Sequence, residues 1–246
     1  MSFRLKRGIA ALLSGAALLI IMLSVVPEAT PQQSISQTEA PSTPVEGSTE
    51  VLNAATGASL ADNLGNWSLA KQTLAALPVK GKAAKTGYER SQFGNGWKTV
   101  DGCSMRETIL HRDMTNVVLN DECQVMSGTL LDPYTSKTIQ FSRGANSSDV
   151  QIDHVVALSN AWQTGAQQLT PDVRATLAND PLELLAVDGS ANQQKSDADA
   201  ATWLPSNKAF RCEYVTRQVA IKQRYTLWVT QAERDVISRV LAVCTQ

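Results

Sequence analysis

Val150-Gln151-Ile152-Asp153-His154-Val155-Val156-Ala157-Leu158 places an acid and a histidine side by side inside an apolar, β-branched run. The run reads as a buried strand. Buried strands do not ordinarily carry adjacent titratable side chains unless those groups have partners or chemistry to perform. Downstream, Leu182 to Val187 reads as a second strand, turned by Asp188-Gly189. Ala191 to about Ala201 then reads as a helix, which puts Asn192 and Lys195 one turn apart on one face. Pairing of the two strands with the helix packed across them would bring Asp153, His154, Asn192 and Lys195 to one place.

Outward from this centre the pattern is short strands flanked by helices. Upstream, Asn66 to Leu77 carries Trp67, Leu69, Ala70, Leu74 and Leu77 at helical intervals and is ended by Pro78. Gly87 to Gly96 reads as a loop. Cys103 to Asp113 reads as a short helix, and strands are expected near Asn116–Leu119, Cys123–Leu130 and Lys137–Phe141, separated by turn residues. Between the two central strands, Asn160–Gly165 is helical and Thr170-Pro171-Asp172 opens a helix running to Ala178. Lys208 to Val243 reads as two helices, the second opened by Thr230-Gln231-Ala232-Glu233, a capping-box pattern. Trp162, Trp228 and Trp203-Leu204-Pro205 read as core and helix-terminating residues rather than base-stacking platforms. His111, the other histidine, reads as surface.

At the N-terminus, Arg4, Lys6 and Arg7 precede an apolar stretch from Gly8 to Val26 and then Pro27-Glu28-Ala29. Residues 1–29 therefore read as a secretory signal peptide or, uncleaved, as an N-terminal membrane anchor, since about 17–25 apolar residues suffice to span. Either outcome exports the rest, as a secreted protein or one anchored on the outer face of the cytoplasmic membrane. Residues 30–56 are rich in Pro, Ser and Thr and read as a disordered linker, leaving 57–246 as one domain. The whole chain has a formal net charge of −1. Loss of the leader removes three basic residues and only Glu28, so the mature chain is more acidic still. That balance weakens the case for a broad basic surface of the kind that grips phosphates without regard to sequence. Cys103, Cys123, Cys212 and Cys244 all lie in the exported part, where an even number reads as disulfides. Of the three pairings, Cys103–Cys123 and Cys212–Cys244 each close a local segment. No two cysteines have the close spacing of a zinc site.

Asp153 carboxylate and Asn192 carboxamide oxygens are ligands suited to a hard divalent cation such as Mg²⁺ or Mn²⁺, with Zn²⁺ or Ni²⁺ the second choice if a histidine joins. His154 is then left to deprotonate a water that attacks a phosphodiester in line, and Lys195 to pair with a phosphate oxygen. Arg106, Arg112 and Asp113 are open to two readings, a structural ion pair beneath the site or contact with substrate phosphate. No small-molecule cofactor motif and no oligomer signal is present.

These residues and several others resemble a known family. Cys103-Ser104-Met105-Arg106-Glu107-Thr108-Ile109-Leu110-His111-Arg112-Asp113, Asp132-Pro133-Tyr134-Thr135, Ile152 to Leu158, Ala178-Asn179-Asp180-Pro181-Leu182, Asn192-Gln193-Gln194-Lys195 and Trp203-Leu204-Pro205 are similar to motifs of the exported bacterial HNH endonucleases related to the GmrSD C-terminal domain. The resemblance implies an α+β fold in which a ββα-metal (HNH) core is embedded in a mainly helical, disulfide-bonded single domain. It implies His154 as general base, Asp153 and Asn192 as metal ligands, and DNA, or RNA as well, as substrate; Asn179 is open to a phosphate-binding or a supporting role. Two positions depart from the pattern. Glu183 stands at the middle HNH position, usually Asn, and Ser196 follows Lys195 where Gly is frequent. Glu183 leaves a second reading open, an exported HNH-fold binding or envelope-associated protein without turnover.

Overall fold

In chain order the elements are α1 (Trp67–Ala76), a 3₁₀ turn (Arg90–Phe93), β1 (Thr99–Val100), β2 (Cys103–Ser104), α2 (Met105–Asp113), β3 (Thr115–Leu119), β4 (Val125–Leu131) and β5 (Thr138–Ser142). Then follow β6 (Val150–His154), α3 (Leu158–Gln163), α4 (Pro171–Leu177), β7 (Leu184–Asp188), α5 (Gly189–Lys195), α6 (Arg211–Arg224) and α7 (Gln231–Ala242). This computed structural model describes residues 60–144 and 146–245, all within one unit of the chain. The expected leader (1–29) and linker (30–56) lie outside the described residues. Among those described, no helix is long and apolar enough to cross a membrane.

The helix starts follow from local chemistry. Asn66, Ser104, Thr170 and Asp188 each accept a main-chain N–H of the first turn, and Thr230 with Glu233 forms the reciprocal capping box. These bonds satisfy donors that a helix cannot pair internally. The sheets are antiparallel: β1 with β2, the meander β3-β4-β5, and β6 with β7. The β6–β7 pair is the centre of the domain. Val150, Ile152, Leu184 and Ala186 pack in one apolar cluster with α2 and β4. Leu185 and Val187 enter another cluster with residues of α1, α5, α6 and α7. Alternation along a strand sends successive side chains to opposite faces, so Leu184 to Val187 of β7 are all apolar and buried because both faces are covered.

Two boundaries differ from expectation. The strand does not run on through Leu158 but ends at His154. There the Glu183 carbonyl accepts the Val155 N–H and the Glu183 carboxyl accepts the Val156 N–H, steering the chain into α3. The helix expected to reach Ala201 ends at Lys195, because Ser196 takes a positive φ of 50° and breaks the helical path. At the other end of α5, a Cβ on Gly189 would run into the Ser148 carbonyl oxygen. Glycine therefore lets the helix start close against the β6 entrance. Both cysteine pairings are as expected, Cys103–Cys123 and Cys212–Cys244, with Cα separations of 5.5 and 5.9 Å. The domain is a mixed α+β fold carrying two disulfides.

Candidate active site

Asp153 and His154 are consecutive on β6 and make their contacts on different sides. Asp153, 4% exposed, takes the Tyr134 hydroxyl on Oδ2 and Lys195 Nζ on Oδ1, the latter at 2.9 Å. Tyr134 is set there by the Asp132-Pro133-Tyr134-Thr135 turn, in which buried Asp132 accepts the Thr135 and Asp188 N–H groups. Burial raises the Asp153 carboxyl above its ordinary value, and Lys195 and Tyr134 offset that only in part. The result is an oriented carboxylate with lone pairs left over.

His154 Nε2 lies 3.0 Å from the Ala178 carbonyl oxygen. A carbonyl can only accept, so Nε2 carries the hydrogen and Nδ1 is the unprotonated nitrogen. Trp97 stacks on the imidazole at 5.7 Å between ring centres and 7° between planes. Desolvation, with Arg90 as the next cause, holds the imidazole down at about 3, so it is neutral at physiological pH. A fixed, neutral imidazole with one bare nitrogen can accept a proton.

Two adjoining cavities meet at His154. One, of about 340 Å³, is lined by Asp153, His154, Asn192, Ser196, Arg90 and Lys85 among others. The smaller, of about 130 Å³, is lined by Arg90, Phe93, Trp97, His154 and Ala178. Asn192 gives its Nδ2 to Gln151 Oε1 at 2.9 Å, which leaves the carboxamide oxygen for the cavity. The structure thus brings Asp153, His154 and Asn192 to one cleft.

Other expected site residues are placed differently. Lys195 lines neither cavity. It is 1% exposed and gives Nζ to Asp153 and, at 2.8 Å, to the His154 carbonyl; a buried ammonium needs such acceptors. Arg112 and Asp113 form the structural alternative: Arg112 donates to Asp113 and to the Pro181 and Leu184 carbonyls, and Asp113 accepts the Ala186 N–H. Arg106 lies beside Glu107 at 3.9 Å and lines neither cavity. Asn179 accepts the Lys98 N–H and donates to the Ala175 carbonyl, fixing the segment that offers the Ala178 carbonyl to His154. Glu183 is 0% exposed, and desolvation raises its carboxyl well above the usual range. It ties the β6–α3 corner by accepting the Val156 N–H on Oε2, and its Oε1 has no hydrogen-bond partner.

Lys85, Tyr88, Arg90 and Trp97 also belong to the cleft and carry no sequence expectation beyond a loop. Their signal was the interleaving of Tyr88, Arg90, Phe93 and Trp97 among glycines, basic and aromatic together in a stretch without helical or strand period.

Residues 106–240 match the family described as GmrSD restriction endonucleases, C-terminal domain. A protein of Arthroderma benhamiae, named an uncharacterized secreted protein, is 37% identical over 185 residues, covering 74% of this chain and 88% of that protein. That relative is fungal, so the likeness extends beyond bacteria. No solved structure matches. Asp153, His154, Glu183 and Asn192 all fall within the matched segment, and with more than half of the sequence inside it, the chain belongs to the family of GmrSD restriction endonuclease C-terminal domains.

Proposed function

We propose that the protein is an exported, divalent-metal-dependent endonuclease that hydrolyses phosphodiester bonds in DNA, with RNA the second substrate to test. The observation that carries this reading is His154: a neutral imidazole locked by the Ala178 carbonyl and Trp97, its Nδ1 bare, beside the Asp153 carboxylate in an open cleft. A nuclease-related family and a secreted relative support it.

The donor set fits a hard cation. Among the described residues no group of three or more His, Cys, Asp or Glu is placed to hold a metal. Asp153 and the Asn192 oxygen would therefore hold it by two oxygens with water and phosphate completing the shell, the habit of Mg²⁺ or Mn²⁺ rather than of Zn²⁺. Bound there, a divalent cation supplies charge stabilisation at phosphorus and at the leaving oxygen. His154 accepts the proton of the attacking water at Nδ1. Lys195 and Tyr134 hold the Asp153 carboxylate in place, and Glu183 with Asn179 keeps the corner that aims the imidazole.

Purified protein with its disulfides intact should nick supercoiled plasmid in Mg²⁺ or Mn²⁺ and not in EDTA. A folded protein that binds Mn²⁺ and cleaves neither DNA nor RNA would reject the reading in favour of a binding protein without turnover.

A further inference from the structure

Arg90 lies in the segment that precedes the family-matched residues 106–240, yet it lines both cavities that meet at His154. The other cations around the cleft are committed. Lys85 gives Nζ to Asp197 at 2.9 Å, Lys195 gives its own to Asp153, and Arg174 spends its guanidinium on Gln92 and on the Leu169 carbonyl. Among the described residues Arg90 alone of the cations lining either cavity has no hydrogen bond or ion pair for its side chain.

The 3₁₀ turn that carries it, by contrast, is anchored at its later residues. Arg174, 7% exposed, donates to the Gln92 carbonyl at 2.8 Å and to the Gln92 side chain at 3.1 Å. Phe93, next along the turn, is buried with Trp162 and Leu177, and Tyr88, Phe93 and Trp162 meet edge to face. An anchored turn thus presents a guanidinium without a counter-charge to the space in front of the imidazole. A planar fork of donors matches two oxygens of a phosphate better than a point charge does.

We propose that Arg90 is a catalytic residue that binds the non-bridging oxygens of the scissile phosphodiester in front of His154, so that the segment before the family-matched region completes the active site. This rests on the nuclease reading for its substrate. Arg90 positions the phosphate and takes up charge as the attacking oxygen adds, while His154 takes the proton.

The test compares wild type, Arg90→Ala and Arg90→Lys as full chains. Plasmid nicking in Mg²⁺ is resolved into kcat and KM, and binding of TpT, a single phosphodiester between two nucleosides, is measured in EDTA. Removing one charge stabiliser should lower kcat/KM of Arg90→Ala about 100-fold, with unchanged melting, weaker TpT binding and partial recovery in Arg90→Lys. Cleavage and TpT binding by Arg90→Ala equal to wild type would overturn the assignment and leave the nuclease reading intact. Lost cleavage with unaltered TpT binding, or a wild type that binds no TpT, would overturn it too. TpT binding that depends on Arg90 in a wild type that cleaves nothing would uphold the anion site and reject the nuclease.

Discussion

Glu183 and Ser196 are the two residues at which the chain departs from its family's pattern, and each departure has a local physical account. Because burial raises the Glu183 carboxyl well above its usual range, it binds a proton more tightly folded than unfolded. Stability from this group is therefore full below the unfolded carboxyl pKa, about 4.3, and falls as pH rises from there toward the raised folded value. Glu183→Gln cannot ionise, so its stability relative to wild type should grow between pH 4 and pH 8 in denaturant melts. His154 titrates in both proteins and drops out of the difference; a pH-independent difference would contradict a raised Glu183 carboxyl. Ser196 closes α5 at φ 50°, and Ser196→Gly should add about 1 kcal/mol by relieving that strain. Lys195→Met leaves the Asp153 charge buried without its partner and should cost about 3–5 kcal/mol. Asp153 and His154 were legible because an acid and an imidazole in an apolar run call for an explanation, whereas Asn192, which alone would read as a helix cap, was legible only jointly with them. Residue type could not show that Lys195 turns inward, because a seven-residue helix, about two turns long, gives no reliable face. Arg90 and Trp97 were hidden for another reason: a glycine-rich loop has no period from which to read direction.

Among elements, the helix starts were the most legible, because a cap is a contact between near neighbours. Thr230 and Glu233 announced α7, and Thr170-Pro171 announced α4. What the pattern could not reveal is that Glu233 has a second, distant partner. Lys222 of α6 reaches Glu233 at 3.0 Å, the Asn160 carboxamide of α3 at 3.3 Å and the Trp228 carbonyl, with both charges at 0% side-chain exposure. This buried pair joins α3, α6 and α7. Lys222→Met should cost about 3–5 kcal/mol by stranding the carboxylate, whereas Lys222→Met with Glu233→Leu should recover much of the loss. Equal destabilisation by the single and double variants would show that packing, not charge, dominates there. The strands were legible by alternation and β-branching, while their ends were not: β6 stops at His154 only because Glu183, far along the chain, captures the next two amides.

For the molecule as a whole, the cysteine count and the expectation of export pointed to two bridges, and closure of local segments chose the pairing. Opening Cys212–Cys244, which ties α6 to the end of α7 across 32 residues, should lower stability by about 2–5 kcal/mol in chemical denaturation. The cleft is assembled from parts distant in sequence: the 3₁₀ turn and Trp97 from before the family-matched segment, β6, the α4 exit and α5. Only the last three carry motifs, which is why those parts of the cleft were legible beforehand and the first two were not. The central claim is that His154 is the base of a phosphodiesterase, and its most direct test is single-turnover plasmid cleavage in Mg²⁺ by His154→Ala beside wild type. The account predicts cleavage by the wild type and a loss of about 10²–10⁴-fold in a variant that still melts as a folded protein. Undiminished cleavage by folded His154→Ala would contradict it.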